Sequence, residues 1–237
     1  MNNWQIDLFI GLEQATNMQD VLDATLKITK PFGFDYAGWR SEIPLPLTQK
    51  KTLALNTSED AVINKTVNGE YDSAPIPSHC SQSMDPIYWL GTTNSDDEIF
   101  NKAPDIWEEY YSWGHYGGWA QSFIENKRMY SMFWVDTSAP AEKQDFDNVY
   151  FEMQWISTAV LSRMNQVRTK SDITLSLREK EILRWTGDGK TAEDIARILS
   201  LSQSTVNFHL RNAMAKLDAP NKTAAVVRAI YLGLLHH

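Results

Sequence analysis

"TAEDIARILSLSQSTVNFHLRNAMAKL" (residues 191–217) decides the fold of the C-terminal part of this chain. Two amphipathic stretches flank a tight break. Thr191 suits a helix N-cap, with the acidic Asp194 three residues on, and Ser202 suits the cap of the second stretch. Ala196 is small where two helices must cross closely. Ser200 falls in the turn four residues later, where Gly is more usual, and Val206 anchors the second helix ten residues after Ala196. Ile195, Ile198, Leu199, Val206 and Leu210 are expected to form the shared core. This is helix-turn-helix spacing. The outer face of the second helix carries Ser204, Thr205, Asn207, His209, Arg211 and Asn212. Arg can bond guanine bidentately and Asn can bond adenine, while the first turn of such a helix offers free N–H groups to phosphate. Outward from this pair, "SLREKEILRWTGDG" (176–189) predicts a preceding helix stopped by Gly187 and Gly189, and "NKTAAVVRAIYLGLL" (221–235) a following one. Residues 175–237 therefore read as an all-α four-helix domain. The bland alternative is a small bundle with a solvated polar face.

Charge separates this segment from the rest. The 237 residues carry a net charge of −8. From Asp172 onward nine Lys/Arg face seven Asp/Glu, whereas the preceding part holds 13 basic and 23 acidic residues. An acidic N-terminal part excludes whole-surface binding to nucleic acid or anionic membrane, and the asymmetry marks a domain boundary. Apolar residues make up 43% and charged residues 22%, an ordinary globular balance. No apolar run approaches the roughly 20 residues of a membrane span. The N-terminus lacks a basic region and a cleavage site, and the single cysteine, Cys80, allows no internal disulfide. A cytoplasmic protein with no membrane partner is expected. The histidines lack metal-ligand spacing, no glycine-rich phosphate loop is present, and the adjacent His79 and Cys80 lack a third catalytic group. No metal, no cofactor and no enzymatic activity are expected. An enzyme fused to a DNA-targeting module would need a titratable cluster that the sequence does not offer.

Residues 1–167 read as one domain and 168–174, "RTKSDIT", as a linker. Apolar positions at helical spacing open the chain (Leu8, Ile10 and Leu12, then Val21, Leu22, Ala24, Thr25 and Ile28). Short aromatic-rich runs follow at 34–43, 51–56, 117–124 and 128–136, which read as antiparallel strands, with a helix at 103–114 between them. Phe146, Val149, Tyr150, Met153, Ile156, Val160 and Leu161 then predict a long amphipathic helix packed on the sheet. The fold class is α+β: an N-terminal α/β/α sandwich with an antiparallel sheet, followed by the all-α domain.

Over about 60 residues, "LSLREKEILRWTGDGKTAEDIARILSLSQSTVNFHLRNAMAKLDAPNKTAAVVRAIYLGLL" closely resembles the LuxR-type DNA-binding domain, with family positions at Glu179, Leu183 and Gly189. The resemblance implies base contacts from Asn207 and Arg211, and phosphate contacts from Lys190, Thr191, Thr205, His209 and Lys222. It implies a dimer contact through Val227, Ile230, Tyr231 and Leu234 of the last helix. The partners that follow are double-stranded DNA with an inverted repeat, a second copy of the chain, and RNA polymerase. Asn207 departs from the Arg or Lys often found there, which puts the usual base preference in doubt.

Residues 1–167 resemble, more weakly, the autoinducer-binding domain of acyl-homoserine-lactone receptors, through "FGFDYAGWR", Tyr71, Pro75, Trp89, Trp107 and "SWGHYGGWAQ". They do not show the acidic pair, central Asp and later Lys of a phosphoacceptor receiver. Aligned back from Trp89, the family's lactone-binding Asp-Pro becomes Ala74-Pro75. The pocket Trp becomes Ala61, a Tyr becomes Lys65, and a Ser or Thr facing the signal's carbonyl becomes Trp134. Asp72 or Asp85 replaces the lost carboxylate if the loop is threaded differently. Tyr36, Trp39, Ala61, Tyr71, Ala74, Trp89, Trp107, Tyr110, Trp119 and Trp134 are the candidate ligand contacts, unless the aromatics simply fill the core. The expectation is a solo receptor for a flat or hydrophobic small-molecule signal, or a regulator whose Trp134 fills its own pocket.

Overall fold

The computed structural model describes residues 3–43, 51–58, 60–92, 98–126, 129–168 and 173–235. The chain divides into two compact units, Met1–Arg168 and Thr169–His237.

In the first unit, α1 (Trp4–Gln14) and α2 (Met18–Thr29) precede β1 (Tyr36–Ile43) and β2 (Lys51–Asn56). Then come α3 (Asp60–Val67), α4 (Pro75–Cys80), β3 (Ile87–Trp89), α5 (Glu98–Lys102) and α6 (Pro104–Ser112). The unit closes with β4 (Gly118–Asn126), β5 (Met129–Asp136) and the long α7 (Lys143–Arg168). The sheet order is β2-β1-β5-β4-β3, and every pairing is antiparallel. Strand alternation sorts side chains onto two faces. Trp39, Trp119, Phe133 and Val135 pack with Leu8, Leu22, Met153 and Met164 in one core beneath α1, α2 and α7. Tyr130, Met132, Trp134, Ala120 and Trp89 form a second core with Ile76, Cys80 and Trp107 from α4 and α6. The result is an α/β/α sandwich. Sequence reading missed α3, α4, α5 and the three-residue β3. Arg168, expected in the linker, is the last residue of α7, and residues 169–172 of that linker lie outside the described set.

The second unit holds α8 (Leu177–Gly187), α9 (Ala192–Leu199), α10 (Gln203–Lys216) and α11 (Lys222–Tyr231). Local chemistry sets each boundary. The Thr191 side chain accepts from the Asp194 N–H while Asp194 returns a bond, which makes a capping box. Ser202 and Asn221 cap α10 and α11 in the same way without the reciprocal bond. Ser200 ends α9 at φ 55, the left-handed conformation that Gly adopts more easily. Ile195, Ala196, Val206, Leu210, Ile182 and Leu183 are buried together. Ile198, expected in this core, is instead 45% exposed, because it lies two residues beyond the buried Ala196, about 200° around the helix, and so falls outside the stripe of Ile195, Ala196 and Leu199. Leu234, expected within the last helix, follows its end.

Glu179 is buried and joins the N-terminus of its own helix, α8, to α10. Its carboxylate accepts from the Ser176 N–H (2.8 Å) and from Lys216 Nζ on α10 (2.8 Å). Burial would raise its pKa, but the bonds from Lys216 and Ser176 outweigh it and hold the carboxyl below its usual range. A depressed acid contributes stability that is present above the unfolded pKa of about 4.3 and lost as pH falls through the folded value. Glu179→Ala is expected to cost about 2 kcal/mol, or roughly 8–16 °C in the melting of this unit, at pH 7. Calorimetry between pH 3 and 7 checks it: the gap between wild type and variant should narrow toward acid, and a gap that stays constant would rule the carboxylate out as the cause.

Candidate functional site

The second core of the sandwich encloses a small cavity. Its floor is the sheet face bearing Arg40, Met132, Trp134 and Asp136, and its roof is Thr66, Tyr71, Ala74, Ile76, Pro77, Ile106, Trp107 and Tyr110, with Trp89 at the side. The free space is about 50 Å³. That admits a few waters but falls far short of the ~300–1,000 Å³ of a site enclosing a drug-sized molecule.

Small residues seat large ones here. Gly38 and Ala120 are the register partners of Trp134 on either side, and Gly118 is the partner of Trp89. A Cβ on Gly38 would lie 2.2 Å from Cζ2 of Trp134, and one on Gly118 would lie 2.3 Å from Cζ2 of Trp89. Both indoles therefore lie across glycines, and Trp134 occupies the middle of the cavity floor. Trp89 Nε1 donates to the Tyr116 carbonyl (2.8 Å) and Trp107 Nε1 to the Ile99 carbonyl (3.1 Å), so both rings are fixed. Tyr71 donates to Glu109 Oε2 (3.0 Å), and Glu109 also takes Lys65, which clamps α3 to α6.

Of the predicted ligand contacts, the structure brings Tyr71, Ala74, Trp89, Trp107, Tyr110 and Trp134 together around this cavity. Trp39 and Trp119 are corrections. Each sits at odd parity to Gly38 or Gly118 and belongs to the core beneath α1, α2 and α7, where Trp119 donates to Ser157 Oγ (3.0 Å). Tyr36 is on the cavity side but lies against the His115 ring (4.2 Å between centroids) outside the lining. Ala61 belongs to α3, and its side chain is outside the described set. Neither Asp72 nor Asp85 lines the cavity: Asp72 pairs with Arg40, and Asp85 is exposed beside Ser83. Cys80 is buried, which pushes its thiol up to about 12 against a small opposing effect of Arg40, while His79 bonds the Asp85 carbonyl instead.

Two charged side chains that sequence reading missed, Arg40 and Asp136, line the cavity. Arg40, at 1% exposure, donates through Nη2 to Asp72 (2.6 Å) and approaches Glu42 (3.5 Å). Asp136 is buried, its Oδ2 3.1 Å from His115 Nδ1. Burial raises its pKa, against the hydrogen bonding of His115 and Trp134 that favours the charged form. Strand parity was the available signal, since Tyr36, Gly38 and Arg40 share one face by period two.

The second site is formed by the N-terminal end of α9, the outer face of α10 and the first residue of α11. Lys190, Thr191, Ser204, Asn207, Arg211 and Lys222 are exposed, and Thr205 and His209 are half-buried beside them. Ser204, Asn207, Phe208 and Arg211 fall at i, i+3, i+4 and i+7, one stripe of the helix. Phe208 was missed by the sequence analysis. It is 53% exposed in the middle of this stripe, where a phenyl ring suits a thymine methyl. Phe208→Ala is expected to weaken binding about fivefold and to relax preference at one A·T pair; binding arrays with single-base variants of a selected site read this directly. On α11, Ile230 is exposed and Val227 and Tyr231 are half-buried, as is Leu234 after it.

Each of the two units matches a known protein family. Residues 17–164 match the autoinducer binding domain, and residues 173–229 match the bacterial regulatory proteins of the luxR family. The chain is 33% identical to the transcriptional activator protein AnoR of Acinetobacter nosocomialis, across 99% of this chain and 100% of that one. It is 27% identical to the regulatory protein SdiA of Escherichia coli K12, across 98% and 97%. The structure of SdiA in complex with octanoyl-rac-glycerol superposes with a TM-score of 0.75 at 26% identity, covering 99% of this chain and 96% of that chain. A sensor sandwich followed by a helix-turn-helix unit defines a DNA-binding transcriptional regulator, not an enzyme. The chain belongs to the LuxR family of quorum-sensing regulators.

Proposed function

We propose that this regulator binds an inverted-repeat promoter site as a homodimer, under control of a small apolar or aromatic signal other than a standard acyl-homoserine lactone. The observation that carries the proposal is the cavity lining, roof and floor together. Ala74 stands where the lactone receptors hold a carboxylate, and Trp134 covers the middle of the space. An amide N–H brought there loses the acceptor at position 74 and has Asp136 as the acidic alternative in the lining, whose Oδ2 is held by His115 while its Oδ1 makes no hydrogen bond among the described residues; unless it reaches that oxygen, a buried amide without a partner costs about 1–3 kcal/mol. DNA contacts fall to Lys190, Thr191, Ser204, Thr205, Asn207, His209, Arg211 and Lys222. The exposed Ile230 supports a dimer contact through the last helix, with Val227, Tyr231 and Leu234 beside it. On α7, Phe151 and Trp155 stand one turn apart and are 79% and 46% exposed, an apolar face that a second copy would cover. A recruited RNA polymerase and a cytoplasmic location complete the reading. Among the described residues no helix is long and apolar enough to cross a membrane.

The 50 Å³ cavity favours a second reading, in which Trp134 substitutes for a signal and the protein is active without one. Purified full-length protein, with a DNA site selected from a random pool, separates the two. Tight and selective binding with nothing added, at both low and high salt, supports the self-filled reading. Weak binding that 1-octanoylglycerol strengthens and octanoyl-homoserine lactone does not supports the signal reading. Strengthening by the lactone alone overturns it.

A further inference from the structure

We propose that the cavity recognises a neutral molecule through a hydrogen-bond acceptor, such as a ketone or ester carbonyl, and that Arg40 is the residue that binds it. The inference rests on the signal-binding reading above and names the chemistry of the signal. Arg40 reaches the cavity from β1, almost wholly buried. Nη2 is spent on Asp72 and Glu42. Nε and Nη1 are buried and make no hydrogen bond among the described residues. An unmade hydrogen bond at a buried charged donor is costly, so a group that supplies an acceptor there gains more than an apolar group of the same size. Charge decides which acceptor. Asp72 and Glu42 already meet the single positive charge, and Asp136 adds a further carboxyl to the lining. A carboxylate ligand would be a further anion around one cation, whereas a carbonyl brings lone pairs without charge. The rest of the molecule meets Trp89, Trp107, Tyr110 and Trp134, which suits an aromatic or alkyl body. Since 50 Å³ does not admit a ring, the Trp134 indole must swing aside for one to enter.

Three probes of similar shape test this: acetophenone, ethylbenzene and benzoate, titrated into full-length protein and followed by ligand-observed NMR. Acetophenone is expected to bind at least about tenfold more tightly than the other two. In Arg40→Met the preference over ethylbenzene should shrink to within about twofold. Should that variant fail to fold, Arg40→Lys keeps a cation for Asp72 without the spare guanidinium donors and should show the same loss. Equal binding of ketone and hydrocarbon, tighter binding of benzoate, or a ketone preference that survives the substitutions overturns the proposal. If wild type takes none of the three, Trp134→Leu separates the claims. A ketone preference in that variant upholds the role of Arg40 and overturns the accessible signal cavity. Equal uptake of ketone and hydrocarbon overturns the role of Arg40 alone, and no uptake overturns both.

Discussion

Gly38→Ala is expected to destabilise the N-terminal unit by about 3 kcal/mol and to abolish whatever DNA binding the protein shows without added signal. The added methyl group would lie 2.2–2.8 Å from three atoms of the Trp134 indole, inside any van der Waals contact. The ring cannot yield by a few tenths of an ångström, since Ala120 flanks it on the other strand and only about 50 Å³ is open above it. Overpacking of this kind costs ~1–3 kcal/mol, and a rigid bicyclic ring places it at the upper end. The clash has a single partner, which makes it separable. Trp134→Ala alone should cost about 3–5 kcal/mol through the lost burial. The double variant should be more stable than the sum of the two losses by at least about 1 kcal/mol, because the methyl group then fills space instead of striking a ring. Denaturant melts of the four proteins give the cycle. Strict additivity would mean that the indole does not rest on Gly38.

The contrast between the two sites in the sequence has a physical origin. The helix-turn-helix was legible because its determinants are local. Thr191 with Asp194, Ser202 three residues before Thr205, and the buried set Ile195, Val206 and Leu210 all act within one or two turns. The cavity depends on register between strands, and its facing pairs Ala120–Trp134, Trp89–Gly118 and Gly38–Trp134 become more distant in sequence in that order, beyond any one or two helical turns. Aromatic content alone proposed Trp39 and Trp119 for the pocket, yet both pack in the opposite core, beneath α1, α2 and α7. The alternation rule excluded them once Tyr36 was chosen, because Trp39 is three residues away and falls on the opposite face. The same rule offered Arg40, which went unnoticed because a charged residue reads as exposed until its partner Asp72, 32 positions away, is known. Ile198 and Phe208 failed in the converse way. Each is apolar and was read as core or passed over, but a short helix with one buried stripe leaves its other apolar side chains to solvent or to a partner.

Arg211→Ala is expected to lower affinity for the selected DNA site by about 10- to 100-fold, the range of a lost bidentate contact to guanine. Arg211 is exposed at the end of the stripe begun by Ser204 and Asn207, and it makes no hydrogen bond or ion pair among the described residues. Nothing in the fold therefore competes for its guanidinium, and the substitution should leave the melting temperature within about 2 °C. Two further variants show what kind of contact is lost. Arg211→Lys keeps the charge but not the planar fork. Its salt dependence should match wild type while discrimination at one G·C pair falls. Lys190→Ala should do the reverse: weaker binding to all sequences alike, with the slope of log affinity against log salt reduced by about 0.9 and no change in base preference. Asn207 replaces the base-reading cation with a neutral amide, so the selected half-site should show adenine where Asn207 reaches the groove. A selected site with guanine at both positions, or an Arg211→Lys protein that binds as selectively as wild type, would place base reading elsewhere on α10, and Phe208 with Ser204 would then be the residues to substitute next.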